Sequence, residues 1–136
     1  MSCYAVVDTN VLVSALITKN PSSPPRQIFR AMLTGDIIPL YHEDILAEYE
    51  EVLCRRKFHL KFESIQTVLG AIRQFGIEVQ PHPTGERLPD MDDLIFYEVT
   101  MEKREDAAYL VTGNQKHYPS RDYIVIPAEM LAILKG

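Results

Sequence analysis

The sequence predicts an α/β protein: a three-layer α/β/α sandwich around a central, mainly parallel sheet. Three observations predict it. Short apolar, β-rich runs recur at residues 3–7, 37–41, 108–112 and 123–126, each strand-sized rather than helix-sized. Segments of helical periodicity fall between most of them, the pattern of a sheet whose strands are joined by crossover helices. The first run, CYAVV, is continuously apolar instead of alternating, as a strand covered on both faces requires.

Taken in order, Asp8-Thr9-Asn10 ends the first strand with side chains that cap helices, and residues 11–17 read as a helix. The stretch TKNPSSPP (18–25) is a loop, and a second helix starts at Pro25 or Arg26 and runs to Leu33. Thr34-Gly35-Asp36 closes it. IIPLY (37–41) is the second strand, although Pro39 argues against a central place in the sheet. Residues 42–55 give the clearest helix, with Ile45, Leu46, Tyr49, Val52 and Leu53 on one face. Another helix spans 62–75 and stops at Gly76, before a short strand at 77–79. Residues 80–91 carry Pro81, Pro83, Gly85 and Pro89 and read as a loop. The helix at 92–104 is apolar almost all round, so it should be deeply packed. AYLVT (108–112) and YIVI (123–126) are strands, Gly113-Asn114 is a turn, and 128–134 is a closing helix. No repeat or linker divides the chain, so residues 1–136 are expected to form one domain.

Composition narrows the function. Fourteen Lys and Arg against nineteen Asp and Glu leave a net charge of -5. That argues against a protein that coats nucleic acid through a broad basic surface. It suits an acidic cluster that gathers a divalent cation, which can itself bridge carboxylates to phosphate. Cys3 and Cys54 each lie beside apolar residues and read as small buried hydrophobes in a reducing compartment. Asp8 and Asn10 interrupt the N-terminal apolar run and no basic segment precedes it, so neither a signal peptide nor a membrane span is expected. A soluble, cytoplasmic protein is the expectation.

The acids stand where such a fold collects ligands, at the carboxyl ends of its strands. Asp8 immediately follows the first strand. A carboxylate there costs free energy to desolvate unless a charge compensates it. A hard divalent cation would do so, and an N-capping role is the compatible structural alternative. In the 42–55 helix, Glu48 and Glu50 border opposite edges of the apolar stripe, and periodicity does not choose between them. Asp92 and Asp93 open the most buried helix, where acids also favour the macrodipole, while Asp90 reads as a loop residue. Thr112 and Asn114 follow another strand and offer oxygens toward the same edge.

These residues, in this order, resemble the PIN-domain family. VVDTNVLVSAL (6–16) resembles its opening strand, acid and helix. ILAEYEEVLCRRKF (45–58) is similar to the helix carrying the second acid, and that alignment selects Glu48. PDMDDLIFYEV (89–99) resembles the third acidic stretch, placing the third acid at Asp93 with Asp92 beside it. YLVTGNQKHYP (109–119) resembles the fourth motif, and YIVIPAEML (123–131) the last strand and helix. One departure stands out: the family often has an acid after the Thr-Gly of the fourth motif, and here Asn114 stands instead.

The resemblance implies a ribonuclease using Mg2+ or Mn2+, with Asp8, Glu48 and Asp93 as metal ligands and Asn10, Asp92, Thr112 and Asn114 in support. Candidate RNA-positioning residues are Arg55, Arg56 and Lys57, whose plain alternative is favourable placement at a helix C-terminus, and Lys116 with His117. Closest in look are the bacterial and archaeal VapC-like toxins, which implies a small antitoxin partner and a homodimer. A non-catalytic PIN scaffold that binds RNA or protein is the alternative. A haloacid-dehalogenase-like phosphatase wants a second acid where Asn10 stands, and a receiver domain wants its acid on a middle strand. The four histidines lack metal-ligand spacing, so no zinc site is expected.

Overall fold

A computed structural model describes residues 2–136. Five strands, β1 (Cys3–Val7), β2 (Ile37–Tyr41), β3 (Ile77–Glu78), β4 (Tyr109–Val111) and β5 (Ile124–Val125), form one parallel sheet in the order β3-β2-β1-β4-β5. Six helices accompany them: α1 (Thr9–Ile17), α2 (Pro24–Thr34), α3 (Glu43–Leu53), α4 (Phe62–Phe75), α5 (Leu94–Glu102) and α6 (Pro127–Leu134). In β1 the consecutive residues Ala5, Val6 and Val7 are all buried. Their side chains alternate between faces, so both faces of the sheet are covered and the sandwich has three layers. Helix α5 lies on β1, β2 and β4 with α3 beside it, while α2 packs on β2 and against α1 and α6.

The boundaries follow local chemistry. Ser23 caps α2 through its hydroxyl, Pro24 and Pro25 occupy the first turn, and Gly35 ends it at φ 90°. His42 caps α3 rather than belonging to it. The expected helix at 92–104 begins only at Leu94, after a 3-10 turn over Met91–Asp93 that Asp90 caps, and it ends at Glu102. Its burial matches expectation: Phe96, Tyr97, Val99 and Thr100 are all inside.

Two expectations fail for identifiable reasons. Pro39 lies in β2, which has neighbours on both sides. The proline is tolerated because β3 pairs only with Leu40 and Tyr41, so no ladder partner faces Pro39 from that side. Neither cysteine is core: Cys3 is half-buried, and Cys54 is exposed where α3 ends just past its apolar stripe. Among the described residues no helix is long and apolar enough to cross a membrane.

Candidate metal centre at the sheet switch point

After β1 the chain builds outward through β2 and β3, then returns to place β4 on the other side of β1. Crevices form at such a reversal, beyond the strand ends. Asp8 sits there, its backbone N–H donating to Val111 O at 2.9 Å, so the sheet itself fixes it. It caps α1, Oδ1 accepting from Thr9 N at 2.8 Å. Oδ2 accepts from the Thr112 hydroxyl at 2.7 Å and the Tyr118 hydroxyl at 3.1 Å. The cap foreseen from sequence is therefore realised, and the same carboxylate faces a pocket.

Glu48 reaches that pocket from α3. Buried Tyr49, its neighbour, donates to Val7 O and ties α3 to the end of β1, while Glu48 Oε2 accepts from the Thr9 hydroxyl. Glu50 points elsewhere: it accepts from Gln66 and lines a hollow against α4. Asp93 stands at the start of α5, and its side chain makes no capping bond. Asp8, Glu48 and Asp93 thus line one pocket of about 540 Å³, together with Asp90, Asp92, Asn10, Arg55 and His117.

The electrostatics are those of crowded carboxylates. Burial raises the Asp8 carboxyl above its ordinary value, against the lowering effect of its hydroxyl and backbone donors. Burial also raises Glu48, opposed by Thr9 and reinforced by the charges of Asp8 and Asp93. Asp93 is pushed up to about 6 by burial, then by Asp8 and Asp90, while His117 pulls it down. Among the described residues no Lys or Arg forms an ion pair with any of the three, and only His117 meets Asp93, at 3.1 Å. Buried and half-buried, mutually repelling oxygens with no Lys or Arg paired to them are a donor set that suits a hard divalent cation. Among the described residues no three His, Cys, Asp or Glu side chains stand close enough together to hold a metal ion as placed.

The remaining expected residues divide. Asn10 Oδ1 accepts from Gly113 N at 3.2 Å and joins α1 to the turn after β4. The buried Thr112 hydroxyl holds Asp8. Asn114 borders a neighbouring hollow instead, and its amide meets His117. Arg55 lines the acidic pocket, but Arg56 and Lys57 lie outside the lining, and Lys116 faces a separate hollow beside Tyr118 and Pro119. Sequence reasoning missed Thr9 and Tyr118, and it set Asp90 aside as a loop residue although it lines the pocket. Thr9 was findable as a hydroxyl adjoining the first acid. Tyr118 lies inside the 109–119 segment, but its bond to Asp8 spans 110 residues and no local pattern flags it.

Fold and site together define a parallel α/β protein with three distant acids lining one pocket at its switch point. A family-wide sequence profile described as PIN domain matches residues 4–116, and the chain belongs to that family. PIN domains are a nuclease fold and commonly act as metal-dependent nucleases. A comparison with curated proteins finds no match.

Proposed function

We propose that the chain is a metal-dependent endoribonuclease that hydrolyses RNA phosphodiester bonds, with Asp8, Glu48 and Asp93 holding Mg2+ or Mn2+. The observation carrying this reading is that three carboxylates from three distant segments line one pocket and, among the described residues, none of them is ion-paired with a Lys or Arg. A bound cation supplies Lewis-acid polarisation of the phosphate and a water of lowered pKa. The chain's own contribution is to hold the oxygens. Thr112, Tyr118 and the Thr9 amide fix Asp8, the Thr9 hydroxyl fixes Glu48, and His117 fixes Asp93. Arg55 at the pocket wall suits a substrate phosphate. No Ser, Cys or His nucleophile is required.

Cleavage of single-stranded RNA by wild type and Asp8→Asn, with Mn2+, Mg2+ or chelator, tests the reading. Metal-dependent cutting by wild type alone is expected. Equal cutting by both proteins, or cutting that survives chelation, overturns it.

Resemblance to the VapC-like group supports a narrower role as the toxin of a toxin–antitoxin pair. The chain would then be a homodimer whose small protein partner occludes the acidic pocket. Induced expression arrests growth if this holds and is harmless for Asp8→Asn. Unimpaired growth with active wild-type enzyme overturns the toxin role alone.

A further inference from the structure

We propose that His117 is a positioning residue that aims the Asp93 carboxylate, and that Asn114 fixes its imidazole in the tautomer this requires. The inference rests on the metal-dependent reading above. His117 Nδ1 lies 3.1 Å from Asp93 Oδ2, and His117 Nε2 lies 3.0 Å from Asn114 Nδ2. An ionised carboxylate can only accept, so Nδ1 carries the proton. In the neutral ring Nε2 then presents its lone pair, and the Asn114 amide nitrogen beside it is a donor to it. Both contacts demand the same tautomer.

Asn114 is itself anchored. Its backbone N–H donates to the Thr112 hydroxyl at 3.0 Å, and that hydroxyl donates to Asp8 Oδ2 at 2.7 Å. A continuous chain of bonds therefore runs from Asp8 through Thr112, Asn114 and His117 to Asp93. Nothing else orients Asp93. Its side chain does not cap α5, and among the described residues Oδ1 has no partner, with His117 alone on Oδ2. With one oxygen held, the other is free for a ligand. Donors that hold a ligating carboxylate typically matter to metal affinity by about 10–100-fold.

The test is Mn2+ titration by calorimetry on the full chain, with wild type, His117→Ala, His117→Asn and His117→Gln compared. The His117 side chain is 42% exposed, so these changes leave the core alone, and melting curves verify it. His117→Ala is expected to weaken Mn2+ binding about 10–100-fold. His117→Asn places an amide N–H where Nδ1 stood and should recover most of the loss. His117→Gln places its amide at the Nε2 position and should not. In the metal-free wild type, nitrogen-15 spectra should show His117 protonated at Nδ1. Unchanged binding in His117→Ala, equal recovery by Asn and Gln, or a proton on Nε2 overturns this inference alone. Failure of the wild type to bind Mn2+ overturns the metal-dependent reading and this inference with it.

Discussion

The Tyr118 hydroxyl donates to Asp8 Oδ2 at 3.1 Å, and both residues are buried. Burial and the charges of Asp8 and Asp93 push the phenol far above its ordinary value, so it remains a donor. Tyr118→Phe keeps the ring and deletes this bond. The expected loss is about 1 kcal/mol, or a melting temperature lower by about 2–4 °C. Mn2+ affinity should also fall several-fold, because the Asp8 anion loses one of its donors. Thermal melts and Mn2+ titration check both effects, and unchanged values in both would show that the bond does nothing.

Asp8→Asn is expected to abolish cleavage and yet raise the melting temperature of the metal-free protein. The carboxylate is buried among like charges, with its ionisation disfavoured by desolvation. Asparagine keeps one oxygen for the Thr9 N–H cap, and its Nδ2 takes the place of Oδ2, where the Thr112 and Tyr118 hydroxyls must rotate to accept from it. A gain of about 1 kcal/mol, or about 2–4 °C, is the expected scale. Added Mn2+ should raise the wild-type melting temperature and leave the variant's in place. A variant less stable than the metal-free wild type would contradict the account of the site as electrostatically strained.

The pH dependence follows with a definite sign. Asp93 is raised to about 6 in the fold, and Asp8 and Glu48 are raised as well. An acid whose folded value exceeds its unfolded one contributes stability that is complete below the unfolded value and lost as pH climbs through the folded one. The metal-free protein should therefore melt at a lower temperature at pH 7.5 than at pH 5.5. Saturating Mn2+ should recover the loss at pH 7.5 and do much less at pH 5.5, where protons compete for the oxygens. Asp93→Asn should flatten the metal-free profile between these values. A profile equally steep in the variant would remove Asp93 as its source.

Gly76 offers a test of the scaffold. A Cβ there would come within 2.5 Å of Pro39 O and 2.6 Å of Ile72 O, both backbone atoms. Neither can yield by rotating a side chain, so the end of α4 must move away from β2. Gly76→Ala should cost on the order of 1–3 kcal/mol by the overpacking it forces. Denaturant titration measures it. A neutral substitution would mean that this junction is looser than its contacts indicate.

Much of this arrangement was legible in the chain because the relevant signals are local. Continuous apolar strands, proline at helix starts and Gly76 at a helix end are set by neighbours in sequence. The same holds for Asp8, which ends a buried strand, and the family pattern then selected Glu48 over Glu50. Periodicity could not make that choice. It is made in space, by Tyr49 anchoring α3 on Val7 O and by Gln66 engaging Glu50 from α4. Tyr118 on Asp8 was illegible for the same reason: the bond spans 110 residues and depends on where the loop after β4 returns. Pro39 misled because a proline's tolerance depends on the length of the neighbouring strand, which its own sequence does not encode.

The basic residues separate proximity in sequence from proximity in space. Arg55, Arg56 and Lys57 are consecutive, yet only Arg55 lines the acidic pocket, its guanidinium also 3.4 Å from Glu51. Lys116 follows the fourth motif and faces a different hollow. Arg55→Ala should lower kcat/KM for single-stranded RNA several-fold, mainly through KM. It should also reduce the slope of log binding against log salt by about 0.7, one phosphate contact's worth. Lys116→Ala should leave both quantities near wild type. The comparison is internally controlled, since each change removes one positive charge and alters the net charge equally. Equal effects from the two substitutions would mean that RNA responds to overall charge and not to the lining of this pocket.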